Sequence, residues 1–570
     1  MKSYIFLLVF LLAVCPVYAA NIYWVDNNGA ASWENAESDT ELSGTSAASL
    51  STANANVVAG DTVYMREGTY TTHIKPAVTG ATNSVISYVA YNGEIPIIAN
   101  VSVEFATYVH GIILHKLDWI KIDGITVRRD SGMDRIMMIL EGADYNEIKD
   151  CIFDGQGVGG NLQMWDNKVT GGSGCLNNWI HGCTFKNIGR LSWNGSYVDD
   201  LGGFQVGVPS YDDHSNYNTF EDCTFYGGGH HLLETFTKYN VIRNNHFHND
   251  GAMTNSTGHD PLYGADINGL WGNRNIQIYD GNDNDGMFNL LEGNRFGASG
   301  PPPDDDGGDG LTITAPKNLI RYNVISSSLN NGVLFKLGSG SVSYTNRFYN
   351  NTVYNSGRFE NTGPLWQGAG IRFYTGYTNW GSVLKNNIIY YSAGNEIQGN
   401  YSQSLMTNNW LTSSGNPLFQ NTNTSDYTSS TLPNLGLQAS SGAIDNGISL
   451  ALANGVGTNS TTLILDSNDA LYFQDGSWGS VLANHLPDVI AVGTVGNTSA
   501  VSSINYSTDT LTLSTALTWA DNDDVWLYSR NDGTVVLDGS APDQGAHEWM
   551  GNWPEIHDPS VSGLRLEAVQ

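Results

Sequence analysis

The sequence predicts an all-β fold: a right-handed parallel β-helix, a solenoid of three-strand coils. Three observations predict it. One motif recurs eight times, a third alternating segment precedes most copies, and the composition favours short strands. Of 570 residues, 65 are glycine, 29 tyrosine and 15 tryptophan, and only 14% are charged. Turn formers with few charges read as many strands and turns rather than helices.

The motif is an asparagine, an apolar residue at +2, Asn or Cys at +5, and an apolar residue at +7. It starts at Asn146, Asn178, Asn218, Asn240, Asn289, Asn318 and Asn346, and once at Ser382. Internal repeats of this kind mark solenoids. Positions +5 and +7 share one face of a strand, whereas +2 and +5 are an odd number apart. A bend must lie between them, so each copy is two short strands around a corner. Stacked coils rise by about 4.8 Å, which brings each +5 residue over its own kind. Asn245, Asn294, Asn323, Asn351 and Asn387 then form an amide ladder. Cys151, Cys183 and Cys223 share that column and read as small buried fillers. Cys175 falls in a loop as a free thiol. The third strand is seen at Gly203-Phe204-Gln-Val206, Asn275-Ile276-Gln-Ile278, Gly310-Leu311-Thr-Ile313, Gly332-Val333-Leu-Phe335 and Gly370-Ile371-Arg-Phe373.

The shortest coil runs from Asn218 to Asn240. Longer spacings elsewhere require loops, at about 154–177, 186–203, 248–274 and 297–309. At the N-terminus, Lys2, the apolar run from Tyr4 to Val14 and Val17-Tyr18-Ala19 read as a signal peptide over 1–19. That leader predicts secretion, and no later stretch reads as transmembrane. Residues 46–58 read as a short capping helix, within a cap and first coils spanning 20–100. The coils occupy 101–447.

Tyr23-Trp24-Val25-Asp26, Gly60-Asp61-Thr62-Val63-Tyr64, Gly68-Thr69-Tyr70 and Ile120-Lys-Ile122-Asp123-Gly124-Ile125 together resemble secreted β-helix proteins of the pectate-lyase-like superfamily. The resemblance covers about residues 21–440. It implies the fold, and it implies polysaccharide lyases and glycoside hydrolases, with non-catalytic surface proteins among them. The alginate lyase and chondroitinase B family carries a Lys-Ser pair just before the Asn of a coil. Here the matching place, four residues before Asn240, is Phe236, and Lys238 comes two residues late. The lysine of that family therefore does not carry over. Gly442-Ala-Ile444-Asp445-Asn-Gly447 and Asp543-Gln-Gly545-Ala546-His-Glu548 resemble the closing pair of such proteins. Between them the asparagine ladder stops, and 448–535 reads as an inserted antiparallel β module. A closing segment over 536–570 follows, and its last residues resemble the start of another strand.

Net charge is −31. That argues against nucleic acid as a partner, and a polyanionic substrate would need a local basic cleft or bridging cations. The densest polar group lies on the shortest coil: His230, His231, Glu234 and Lys238, leading to Arg243. Asp200 and Asp260 flank it in sequence. Stacking sets equivalent residues about 5 Å apart on adjacent coils and about 10 Å apart two coils away. Those spacings bracket the carboxylate separations of glycoside cleavage. These six, with Arg243 read for substrate binding, are the candidate catalytic set: Glu234, His231, His230, Lys238, Asp200 and Asp260. Alternation places His230 and Glu234 on one face of the strand and His231 on the other. His259, Trp193, Trp271 and Tyr263 are candidate sugar contacts in the long loops. Asp304, Asp305, Asp306 and Asp309 read as a Ca²⁺ loop or a solvated acidic loop. The expectation is a monomeric extracellular enzyme cleaving a polysaccharide, lyase or hydrolase open. The alternative is a non-catalytic glycan-binding or cell-surface structural protein.

Overall fold

The computed structural model describes residues 21–549 except 102–103, 106–107, 130–135, 156–160, 166–173, 189, 194–197, 202, 208–213, 229–230, 249–273, 281–285, 300–307, 337–344, 358–367, 375–380, 400, 423–432 and 467–468. The chain winds into three parallel sheets of 13, 11 and 10 strands, each strand pairing with its counterpart one coil away. This is the right-handed parallel β-helix that the repeat predicts. The first sheet carries the +1 to +3 segments, such as Glu147–Lys149 and Leu319–Arg321. The second carries the +6 to +8 segments, such as Ile152–Asp154 and Val324–Ser326. The third carries the segments that precede each motif.

The bend between +2 and +5 is a residue at +4 in the left-handed region. It is Asp150 (φ 50°), Gly182 (62°), Asp222 (53°), Asn244 (55°), Gly293 (65°), Asn350 (48°) and Asn386 (57°). Asn, Asp and Gly adopt that conformation at least cost. Tyr322 (φ 56°) is the exception. The next residue starts the ladder. Asn245 Nδ2 donates to Asn294 Oδ1 (3.1 Å), Asn294 to Asn323 (3.0 Å), Asn323 to Asn351 (2.9 Å) and Asn351 to Asn387 (3.2 Å). The ladder runs one coil further than the motif, from Asn387 to Asn409 (2.8 Å). Each amide also caps a main-chain carbonyl one coil back, as Asn294 does at Ile242 (2.8 Å).

The cysteines fill the column in the same way. The Cys183 thiol points at the carbonyl of Ile148 (3.4 Å), the acceptor an amide would take. Cys151, Cys175, Cys183 and Cys223 are all buried, and no disulfide joins them to one another. A second ladder, not foreseen as such, stands at motif position 0. There Asn146 Nδ2 donates to Asn178 Oδ1, Asn178 to Asn218 and Asn240 to Asn289, each at 3.1 Å. Inside, the +7 rings stack: Phe153 on Phe185 (5.1 Å), Phe185 on Phe225 (4.6 Å), Phe225 on Phe247 (4.7 Å) and Phe247 on Phe296 (5.3 Å). These are the spacings of successive coils.

The helix α1, Leu50–Asn56, turns Leu50 and Ala53 into the core at the N-terminal end, with Ser49 capping the amide of Thr52. After the last coil, a six-stranded antiparallel sheet forms from residues 451–529. A bridge between Ala453 and Leu465 joins its two end strands. Its apolar residues merge with the outward residues Val241, Leu290, Leu319 and Tyr349 of the first sheet in one cluster. Phe419, Leu435, Leu437 and Ala546 likewise cover Val324, Tyr354 and Ile388 on the second sheet. Two of the three outer faces are thus occupied over much of the later coils.

Candidate functional site

On the third sheet, β1 (Phe204–Val206), β2 (His231–Thr235), β3 (Arg274–Ile278), β4 (Leu311–Ile313) and β5 (Val333–Phe335) are consecutive neighbours. Phe204, Leu233, Ile276, Leu311 and Val333 are in register and fully buried. The following residues, Gln205, Glu234, Gln277, Thr312 and Leu334, are also in register and form the outward column. Gln163 precedes them, paired with Gln205. A single carboxylate, Glu234, therefore stands between two amides.

The chain turns a corner just before these strands. Leu232 and Leu233 are both fully buried in succession. Two-residue alternation fails there, and His231 emerges on the same side as Glu234. Its Nε2 lies 3.6 Å from Glu234 Oε1. This corrects the expectation that His231 and Glu234 occupy opposite faces, and the reason is the corner, which strict strand alternation ignores.

The same i, i+3 relation recurs in the next coils. Arg274 Nη1 donates to Gln277 Oε1 (3.0 Å), and Thr312 Oγ1 donates to Asp309 Oδ2 (3.2 Å). Across coils, His231 Nε2 meets Gln277 Oε1 at 2.8 Å, and Arg274 Nη1 lies 3.3 Å from His231 Nε2. His231, Arg274 and Gln277 are each 5% exposed. Glu234 is more open, its side chain 12% exposed. The arrangement is a recessed imidazole–carboxylate pair braced by an amide and a guanidinium. Such a pair can take up and release a proton out of bulk water.

The other expected residues are placed as follows. Asp200 and Trp193 lie on a separate antiparallel pair, Arg190–Trp193 with Val198–Leu201. His230, His259, Asp260, Tyr263, Trp271, Asp304, Asp305 and Asp306 lie outside the described residues. Lys238 sits in the turn that leaves the third sheet, its amide donating to Asn216 Oδ1 (2.8 Å) and its carbonyl accepting from Tyr217 (3.2 Å). Arg243 is a correction. It lies on the first sheet, is 5% exposed, and bonds Glu221 Oε1 through Nε (2.8 Å) and the Asn531 carbonyl through Nη1 (3.5 Å). The turn between Thr235 and Val241 carries it away from Glu234 and under the C-terminal module.

Asp309 is also corrected as a solvated acid. It is fully buried, and its Oδ1 accepts from Asn331 through both N (3.1 Å) and Nδ2 (2.8 Å). Burial raises its carboxyl above the usual range, against the pull of Arg274. Among the described residues, no group of three or more His, Cys, Asp or Glu is arranged to hold a metal ion. His246 and His248 point outward from the second sheet, His248 stacked on Tyr226 (5.0 Å), and so belong to another face. Sequence reasoning missed Arg274 and Gln277. The signal was present: His-x-x-Glu, Arg-x-x-Gln and Asp-x-x-Thr stand at the same place in three successive coils.

Fold and site together define a parallel β-helix protein with an imidazole–carboxylate contact on one outer face. No family model and no curated protein matches this chain. Among solved structures it is similar to pectate lyase Pel9A, at 16% identity and TM-score 0.40, covering 75% of this chain and 92% of that one. It is similar to a rhamnogalacturonan lyase at 15% identity and TM-score 0.39, covering 68% and 84%. It is similar to the GH136 lacto-N-biosidase of Eubacterium ramulus at 12% identity and TM-score 0.41, covering 68% of each. The fold assignment rests on this chain's own strand registers, and likenesses of this size decide nothing about its chemistry.

Proposed function

We propose that this protein is an extracellular carbohydrate-active enzyme that cleaves a polysaccharide by general acid–base chemistry at His231 and Glu234. The observation that carries the reading is the 3.6 Å contact of the two side chains on the outer face of the third sheet. An imidazole beside a carboxylate is held in orientation by it and offers a group that can exchange a proton. The amides of Gln163, Gln205 and Gln277 lie in the same outward column, at about 5 Å per coil. A row of neutral donors and acceptors at that pitch suits the hydroxyl groups of a sugar chain lying along the solenoid. The leader-like N-terminus supports an extracellular setting.

The test is a screen of purified protein against neutral and uronate-containing polysaccharides, with products analysed for unsaturated ends, which mark elimination, and saturated ends, which mark hydrolysis. His231→Ala and Glu234→Gln should each lower turnover by about 100-fold or more while the melting temperature stays close to that of the parent. Tight binding of a glycan without any cleavage would replace the reading with a binding protein. Full activity in both variants would end it.

A further inference from the structure

We propose that Trp119 and Tyr145 form a second glycan-binding site, on the corner between the third and first sheets and apart from His231 and Glu234. The residue just before each motif stands at that corner. It is in the left-handed region at Trp119 (φ 58°), Tyr145 (56°), Asn177 (57°), Tyr217 (58°), Tyr239 (58°), Phe288 (57°) and Lys317 (58°). Asparagine takes that conformation at low cost, and a bulky ring is disfavoured there. Five of these seven corners nevertheless carry a ring. The rings stack as the coils do: Trp119 on Tyr145 (4.6 Å, 3°), Tyr217 on Tyr239 (4.9 Å, 9°) and Tyr239 on Phe288 (5.4 Å, 10°).

The later part of this column seats the C-terminal module. Trp478 packs against Tyr239 and Phe288, each at 5.9 Å, and Tyr506 against Phe288 at 6.1 Å. The +1 side chains beside those rings, Val241, Leu290 and Leu319, are apolar and belong to the same cluster. The edge of the module rests on Asn177, whose carbonyl accepts from Ser480 Oγ (2.6 Å) and whose Oδ1 accepts from the Val481 amide (3.3 Å). Tyr145 and Trp119 stand one and two coils before that edge and are partly exposed. On the side of Tyr145 that faces the next coil, the column continues with an amide, Asn177, and not with a ring.

The +1 neighbours change character at the same place. Lys121 Nζ lies 3.2 Å from Asp123 Oδ2 and 3.6 Å from Glu147 Oε2, and Glu147 Oε1 meets His181 Nε2 at 2.9 Å. Lys121, Asp123 and Glu147 are all partly exposed. A second apolar module seated here would strip water from these charges. A pyranose would not. Its axial C–H groups give an apolar, slightly positive face for an aromatic ring, and its hydroxyls give donors and acceptors for Glu147 and Lys121. The paired charges cancel locally, which suits a neutral sugar.

The fold itself supplies the test. Asn177 shows that asparagine fits this corner, so Trp119→Asn combined with Tyr145→Asn should melt within about 3 °C of the parent. Binding is measured on the full-length Glu234→Gln protein by affinity electrophoresis through gels holding xyloglucan, arabinoxylan, galactomannan or laminarin. At least one of these neutral polysaccharides should retard it. The paired replacement should raise that dissociation constant about 10-fold or more, and Lys121→Gln about 3- to 10-fold. No retardation in any gel, or retardation unchanged by the paired replacement, would overturn the site. A large loss of stability in the paired variant would mark the rings as packing. A parent dimer dissolved by the same replacement, seen by sedimentation, would give the corner to a second copy, and either result ends the proposal. The site does not depend on the chemistry at His231: cleavage indifferent to His231→Ala, with retardation still lost through Trp119 and Tyr145, would end the functional reading and leave the second site standing.

Discussion

Arg321 and Asp488, 167 residues apart in the chain, meet in a bidentate ion pair at 2.7 and 2.8 Å where the C-terminal module sits on the first sheet. Both side chains are fully buried. Glu292, one coil before, pairs with the same guanidinium, and Tyr349 Oη accepts from its Nη1 at 3.1 Å. A charge on a solenoid wall normally faces water. Here the module closes over it, and the carboxylates from both sides satisfy it. Removing one partner leaves a buried charge unpaired.

Asp488→Ala should therefore destabilise the protein by about 3–5 kcal/mol. Replacing Glu292, Arg321 and Asp488 together by apolar residues of similar size should recover most of that loss. Chemical unfolding followed by tryptophan fluorescence checks both. A single variant as stable as the parent would show that the pair does not hold the module.

The asparagine ladder makes a graded prediction. Asn294→Leu removes a bond to Asn323 and a bond to the Ile242 carbonyl, each about 3 Å long. It should cost about 2–4 kcal/mol by leaving buried groups unsatisfied. Asn294→Cys should cost less, because Cys183 and Cys223 already occupy this column and point their thiols at the equivalent carbonyls. Equal losses in thermal or denaturant unfolding would refute the equivalence of the two residues in the column.

Buried thiols in that column should be chemically silent. Burial pushes the Cys151 and Cys183 thiols well above their ordinary range. All four described cysteines are buried. An aromatic disulfide reagent should find none of these four in the native protein and all four after unfolding. Fast native labelling at any of them would contradict the burial.

The closing segment predicts a pH dependence. Burial, reinforced by Asp543, raises the Glu548 carboxyl to about 9, and burial raises Asp543 to about 6. The Glu548 oxygens accept from the amides of Asp538 (2.7 Å) and Asp543 (2.9 Å), which ties the segment together. A raised acid binds its proton more tightly in the folded chain, so its stabilising contribution is complete below the unfolded value of about 4 and fades as pH rises through the folded value. His485 and His547 are shifted down, to about 3 and about 4, mainly by burial, and they act below about pH 6.5. The interval from about pH 7 to 9 lies above the histidines, and comparison with Glu548→Gln separates the Glu548 contribution from that of the buried thiols, which also weakens there. Stability should fall across it more steeply in the parent than in Glu548→Gln, by about 1–2 kcal/mol. Parallel melting-temperature curves for the two would disprove the assignment.

The sequence by itself determined the coil. Position +4 needs a residue that tolerates the left-handed region, +5 needs an amide that reaches the next coil, and +7 needs an apolar side chain. Each requirement is local and repeats, so eight copies make it legible. The capping helix and the change of pattern after Gly447 were legible for the same reason. The site was legible only in part. His231 and Glu234 stood out by type, but their side of the strand did not, because two successive buried leucines at a corner override alternation. Arg274 and Asp309 lie 43 and 78 positions beyond His231 in the chain and reach its neighbourhood by stacking alone. Arg243 and Arg321 both stand at motif position +3, on the solenoid wall. Only the tertiary structure decided that residues from Asp488 to Asn531 would cover them, since that depends on where a distant module docks and not on the coil that carries the arginines.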